Sequence, residues 1–184
     1  MINNLDSFVK RWISVRMVFY QVKNLVKDMV SQIKELDQIM TGIAVVTDMD
    51  LGDLWSQIDT YMSVAKQYGV TTKGVYEVSQ LYYQMGLKQS EVTSLTAETL
   101  KLSKISNLDY AASTDLMTVA LKGFNIEASD ANRITDVYSR LAAITASDVS
   151  ELATAMSKTA SGAASVGSSF ENTSAFLAQM INAA

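Results

Sequence analysis

The sequence predicts an all-α fold, in which a long N-terminal amphipathic helix precedes a compact bundle or solenoid of about seven short helices. Two observations support this prediction. The 184 residues contain no proline, the residue that most often interrupts a helix. Hydrophobic residues make up 48% of the chain, and they recur three and four positions apart, which is the spacing of one helical face. A chain of this length is also able to bury a substantial core.

Residues 1–46 are predicted to form the long helix, because they carry an unbroken heptad pattern. Apolar residues alternate three and four positions apart, which is typical of a coiled coil or a helix bundle. A continuous helix from Leu5 to Ile43 is about 58 Å long at ~1.5 Å per residue. We name this stripe the seam, and we expect it to mediate oligomer contacts. It consists of Leu5, Phe8, Trp12, Val15, Phe19, Val22, Val26, Met29, Ile33, Leu36 and Met40, and continues to Ile43.

The sequence leaves open what covers the seam. It packs against the chain's own bundle, against other copies of the chain, or against an anionic membrane. The membrane interpretation depends on an excess of basic residues before residue 30. These are Lys10, Arg11, Arg16, Lys23 and Lys27, which face only Asp6 and Asp28.

Residues 47–184 are predicted to form a multi-helix domain, because turn signals recur along them. Gly69, Gly86, Asn107 and Asn125 each precede an apolar residue, a pattern typical of a left-handed residue that closes a helix. Polar residues that suit a helix N-cap follow most of these turns. The predicted N-caps are Thr47 or Asp48, Thr71, Ser90, Asp109, Ser129 and Ser147.

The spacing within these helices also predicts which side chains face the core. A helix over about 49–68 is expected to turn Leu51, Leu54, Trp55, Ile58, Met62 and Ala65 inward, and the last helix is expected to use Phe170, Phe176, Leu177, Met180 and Ile181. Tyr76 and Tyr83 lie off the inward line of their helix, at an interface, on the surface or at the rim of the core. The small residues of 153–169 either allow close helix contact or form a mobile joint.

The composition argues against catalysis. The chain contains no Cys and no His, which removes the thiolate nucleophile, the commonest general base and the commonest transition-metal ligand. A net charge of −4 argues against nucleic-acid binding by the whole surface. Neither a signal peptide nor a membrane-spanning helix is predicted. We therefore expect no enzyme activity, no catalytic residue, no cofactor and no metal site.

Two stretches of the sequence resemble a known family. Residues 82–125 follow the pattern YxxxGLxxxEVxxLTxETLKLxxIxxLDYAxxTDLMTxALKGFN, and ELATAMSKTAS and GSSFENTSAF come later. Their order and spacing resemble the shared domain of phage tail tape-measure proteins, over roughly residues 45–181. The resemblance implies that the pattern residues hold helix packing and turns. They are Tyr82, Gly86, Leu87, Leu95, Leu100, Leu108, Asp109, Ala111, Leu116, Ala120, Gly123, Phe124, Leu152, Ala155 and Met156.

The resemblance implies a structural role in a long-tailed phage. Proteins of this family occupy the tail lumen, set tail length during assembly and leave the tail before DNA ejection. They associate with tail-tube proteins, distal tail proteins and tail-assembly chaperones. The implied location is the virion tail, with the host cytoplasm during assembly. The homo-oligomer that we expect is indicated by the seam and not by the resemblance.

Two alternative functions remain open at this stage. One is a membrane-active helical protein that acts at the host envelope during DNA delivery, and the other is a soluble helical adaptor. Even fully helical, 184 residues reach only ~280 Å at ~1.5 Å each. We therefore expect the chain to be a folded module of a longer protein, in which extended helices elsewhere measure the tail.

Overall fold

The structure is a computed structural model that describes residues 2–145 and 149–183, with side chains from Met17 onward except those of Val18 and Phe19. These residues are helical and include no strand, which confirms the all-α prediction. A 3-10 turn, Ala128–Asp130, precedes α7. The helices are α1 (Ile2–Thr47), α2 (Leu51–Ser56), α3 (Ile58–Tyr68), α4 (Thr72–Gln84), α5 (Gln89–Ser106), α6 (Tyr110–Phe124), α7 (Asn132–Ile144), α8 (Val149–Ser165) and α9 (Phe170–Ala183).

The chain divides into two units, residues 1–38 and residues 39–184. The first unit is the greater part of α1. The second contains the end of α1 together with α2–α9. Met40 and Ile43, at the end of the seam, are fully buried within the second unit. The last heptad of the seam is therefore a core element.

Left-handed residues close the helices of the second unit where the sequence predicts them. Gly69, Gly86, Asn107 and Asn125 all have φ between 51° and 78°. The apolar residue after three of them donates its backbone N–H to the last helical turn. These bonds join Val70 to Ala65, Leu87 to Tyr82 and Ile126 to Leu121, at 2.9–3.3 Å. The joints are thus fixed by local chemistry.

Two predicted N-caps are confirmed. The Thr71 side chain accepts the backbone N–H of Gly74 at 3.0 Å, at the start of α4. The Asp109 carboxylate accepts that of Ala112 at 2.8 Å, at the start of α6. Each satisfies a backbone donor that the helix itself leaves unpaired.

The first break differs from its prediction. Asp48 has φ 56° and closes α1, so that neither it nor Thr47 caps the next helix. Asp50 performs that role, with its carboxylate accepting the backbone N–H of Gly52 at 2.6 Å. Thr47, Asp48 and Asp50 are all residue types that suit an N-cap, so residue type alone did not distinguish among them.

The predicted helix over 49–68 is interrupted at Gln57, which separates α2 from α3. The Tyr76 hydroxyl donates to the Leu54 carbonyl at 3.1 Å, and so stabilises the end of α2 from α4. No glycine or proline marks this break in the sequence, and its stabilising contact lies 22 residues away.

Two further N-cap predictions are wrong, and one falls outside the described residues. At α5 the cap is Lys88, whose backbone N–H is accepted by the Glu91 carboxylate at 2.9 Å, in place of Ser90. Ser129 lies inside the 3-10 turn, and α7 begins after Ala131. The predicted cap at Ser147 lies outside the described residues.

The core of the second unit is unusually rich in tyrosine. Tyr76 and Tyr83 are buried, because α3 packs against α4 and Tyr61 meets Tyr76 edge to face with ring centroids 4.4 Å apart. Tyr138 makes a similar contact with Phe170 at 5.5 Å. Several predicted core residues are exposed instead, because α2, α3 and α9 lie at the surface of the unit. These are Leu51, Met62, Phe176 and Met180.

The small residues of α8 allow close helix packing. A Cβ placed on Gly123 of α6 would lie 2.8 Å from the Ala160 Cβ. The helix extends to Ser165, and Gly167, with φ 80°, follows it. Of the two interpretations of residues 153–169, the structure therefore favours close contact between helices over a mobile joint.

Candidate interaction surfaces

The middle of α1 carries an exposed apolar stripe. Val22, Val26, Met29 and Ile33 of the seam are each more than half exposed. The side chains of the earlier seam residues, Leu5, Phe8, Trp12, Val15 and Phe19, lie outside the described residues. We name the exposed apolar residues that share this face the α1 stripe: Val22, Leu25, Val26, Met29, Val30 and Ile33. Contiguous exposed apolar surface of this kind marks an interaction site.

The α1 stripe is wider than the predicted seam. Leu25 and Val30 flank the seam positions and are 62% and 49% exposed. Toward the C-terminal end, Leu36 is half-buried, and Met40 and Ile43 are fully buried. From Val22 onward, the heptad pattern therefore passes from exposed positions to core positions.

The pattern residues of the family resemblance mostly lie in the second unit's core and at its joints. Gly86 has φ 78°, Asp109 caps α6, and the Phe124 ring meets Phe170 edge to face at 5.5 Å. Leu87, Leu108, Gly123 and Ala155 are half-buried, and Ala111 is exposed. The buried members are Tyr82, Leu95, Leu100, Leu116, Ala120, Leu152 and Met156. Their functional role stays a prediction.

Paired hydroxyl groups join α4 to α5 inside this core. Ser79 and Thr96 lie 3.1 Å apart, and the Tyr82 hydroxyl bonds that of Thr99. All four side chains are buried. The sequence pattern predicts the inward faces of α4 and α5. It does not predict that the polar residues on these faces form hydrogen bonds with one another.

Burial raises the pKa of several tyrosine hydroxyls. Desolvation raises the pKa of Tyr82 and of Tyr138 well above the ordinary value, since ionisation would place a charge in the core. Burial raises the pKa of Tyr76 and Tyr83 in the same direction, and Tyr61 adds to the effect. These shifts arise from core packing and do not mark a reactive site.

The described residues offer no candidate metal centre, since they contain no cluster of three or more His, Cys, Asp or Glu that could hold an ion. Across the same ranges, no helix has the length and apolar character needed to cross a membrane. The expectations of no enzyme activity and no cofactor stay predictions.

The fold and its surfaces define the chain as an α-helical structural module. A model of the phage-related minor tail protein family matches residues 58–184. The chain is also 32% identical over 143 residues to a protein named Tape measure protein, from Pneumococcus phage Dp-1. The aligned region covers 77% of this chain and 12% of that relative. No solved structure shows a significant match.

The chain belongs to the phage-related minor tail protein family. The resemblance to phage tail tape-measure proteins that the sequence indicates is thereby confirmed. The family is named for a minor tail protein, and membership indicates a structural role in a phage tail.

Proposed function

We propose that this chain is a folded module of a tape measure protein, which occupies the tail lumen and sets tail length during assembly. The observation that carries the proposal is the 32% identity to a tape measure protein over 77% of the chain. The module works in the virion tail after assembly in the host cytoplasm. Tail-tube proteins, distal tail proteins and tail-assembly chaperones are its partners.

The architecture supports a division of labour within such a protein. Residues 39–184 form a compact unit built from short helices. The length of such a unit does not increase in proportion to its number of residues, so it is unsuited to measuring the tail. The relative is much longer than the aligned region, which is only 12% of it. Measurement then belongs to extended helices outside this unit.

Tail length in the encoding phage tests the proposal. A deletion of about 50 helical residues outside residues 1–184 should shorten the tails by about 75 Å, at ~1.5 Å per residue. The matched insertion should lengthen them equally. By contrast, Leu100→Asp, which places a charge in the core, should reduce the number of tails without changing their length. Tails of unchanged length in the deletion and insertion phages would refute a measuring role.

We also propose that copies of the chain associate through the α1 stripe. The heptad spacing supports this, as does the exposure of Val26 and Ile33 at 54% and 56%. Val26→Asp combined with Ile33→Asp should convert an oligomer into a monomer in sedimentation velocity. The matched control, Asn24→Asp with Ser31→Asp, places the same charges seven residues apart on the other face of α1, and should leave the mass unchanged.

The exposure of Lys23 and Lys27 beside the α1 stripe also favours a second candidate, binding to an anionic membrane surface. Co-sedimentation with vesicles of mixed anionic and neutral lipid separates the two. Lys23→Glu with Lys27→Glu should abolish vesicle binding if the membrane is the target. A monomer that binds no vesicles would support the adaptor alternative instead.

A further inference from the structure

A groove of about 810 Å³ opens between α6 and α8. α6 and α8 run side by side in the same direction. Gly123, near the end of α6, meets Ala160 in the second half of α8, and the groove is lined by earlier residues of both segments, 108–119 and 150–159. The described residues that line the groove belong to α6, to α8 and to the turn before α6, and they include none of the α1 stripe.

The groove is long enough to bind two to three turns of one helix. Its α8 wall spans Ser150 to Thr159, about 14 Å at ~1.5 Å per residue, or two to three helical turns. Among its apolar lining residues, Leu116 is buried, and Leu108 and Val119 are half-buried. Ala112 and Ala153 are small and let a partner backbone approach closely. A groove of this length, whose accessible lining is mainly apolar but includes polar and charged side chains, suits an amphipathic helix.

The charges around the groove give it a direction. Asp115 and Glu151, which are both exposed, lie toward the end where α6 and α8 begin. Lys158 lies about two turns further along α8. A partner complementary to this pattern carries basic residues at the first end and acidic residues at the second.

We propose that this groove docks one amphipathic helix of another polypeptide, with an apolar ridge, an acidic first turn and a basic last turn. Helices commonly place acidic residues at their N-terminus and basic residues at their C-terminus, because the helix dipole favours that order. Such a helix satisfies the groove charges only when it lies antiparallel to α6 and α8. Its dipole then also opposes those of the two walls.

Binding of a synthetic peptide to the 184-residue chain tests the proposal. The probe is a blocked 14-residue helix with Leu and Ala along the ridge, Glu in the first turn and Lys in the last turn. A second peptide has the same ridge, with Glu in both turns. Fluorescence anisotropy should show saturable one-site binding of the first peptide, and about fivefold weaker binding of the second, as expected for the loss of exposed ion pairs.

Charge reversal in the groove should reverse that preference. Glu151→Lys should weaken binding of the Lys-ended peptide and strengthen binding of the all-acidic peptide. Asp59→Lys makes the same change of charge on exposed α3 and should alter neither. Glu151 is exposed, so its variant should fold, and circular dichroism will verify this. Ala153→Arg should block both peptides.

Three results would overturn the proposal. The first is the absence of saturable binding. The second is binding that survives Glu151→Lys unchanged but is lost in Val26→Asp, which would place the peptide on the α1 stripe. The third is self-association without peptide that Glu151→Lys abolishes, which would show that a second copy fills the groove.

Discussion

Gly123 of α6 and Ala160 of α8 meet at a distance that leaves no room for a further methyl group. A Cβ on Gly123 would lie 2.8 Å from the Ala160 Cβ, and 3.7 Å from the Ala160 carbonyl carbon. Close approach of the two helices therefore depends on a glycine in the last turn of α6.

Gly123→Ala should destabilise the fold by about 1–2 kcal/mol, because overpacking outweighs the gain in helix propensity. Urea denaturation followed by circular dichroism measures the free energy of unfolding. Adding Ala160→Gly should recover part of the loss by removing the opposing methyl group. Gly162→Ala is the control, since nothing lies within 4 Å of its new Cβ, and it should stabilise α8 by about 0.5–1 kcal/mol. Equal effects at Gly123 and Gly162 would contradict the close contact.

The Tyr82 and Thr99 hydroxyls should show energetic coupling. Tyr82→Phe leaves a buried hydroxyl on Thr99, and Thr99→Val leaves one on Tyr82, so each should lower the free energy of unfolding by about 1–3 kcal/mol. The double variant should lose less than the sum, by about 1 kcal/mol. Additive losses in this double-mutant cycle would show that the pair contributes nothing to stability.

Tyr138→Phe should raise the free energy of unfolding, whereas Tyr82→Phe should lower it. The Tyr138 hydroxyl is buried and finds no hydrogen-bond partner among the described residues. Removing it relieves the desolvation of an unpaired polar group, and should raise the free energy of unfolding by about 1 kcal/mol. The ring contact with Phe170 is retained, whereas Phe170→Ala should lose about 3–5 kcal/mol. A destabilised Tyr138→Phe would mean that the hydroxyl has a partner.

Stability should fall steeply in alkaline solution. Burial raises the pKa of Tyr76, Tyr82, Tyr83 and Tyr138 above the unfolded value of about 10. Above that pH the unfolded chain loses these protons while the folded chain keeps them, so the unfolded state is favoured as pH rises. Below it, the contribution is constant.

Urea midpoints measured between pH 8 and pH 11.5 would reveal this dependence. Each buried tyrosine contributes a slope of up to about 1.4 kcal/mol per pH unit above pH 10. Tyr138→Phe should reduce the slope by about that amount. A slope that is unchanged in this variant would show that Tyr138 ionises as readily in the folded chain as in the unfolded one.

Local chemistry made the joints predictable from the sequence. Gly69, Gly86 and Asn125 close helices because they tolerate positive φ, and each is followed by an apolar residue that folds back. Thr71 and Asp109 cap helices with their own side chains. None of these features requires knowledge of a distant residue.

Tertiary contacts determined the features that the sequence did not predict. The break at Gln57 is stabilised by Tyr76 from another helix, and the burial of Tyr76 depends in turn on Tyr61. Phe176 has the same helical spacing as a core residue but lies on the open side of α9. The α6–α8 groove was missed for the same reason, since its walls are 30 or more residues apart in the chain. The small residues of 153–169 were the one available signal.

The order of the helices has a consequence for how the module is made. α3 packs on α4, α4 on α5, α5 on α6, and α8 on α9, and most of the remaining contacts join elements two places apart, as α6 and α8 do. Low contact order of this kind favours rapid folding. Each helix can dock soon after it leaves the ribosome, before the following helices have been synthesised. Early docking would bury the tyrosine-rich faces before they meet those of neighbouring nascent chains, which lowers the risk of aggregation.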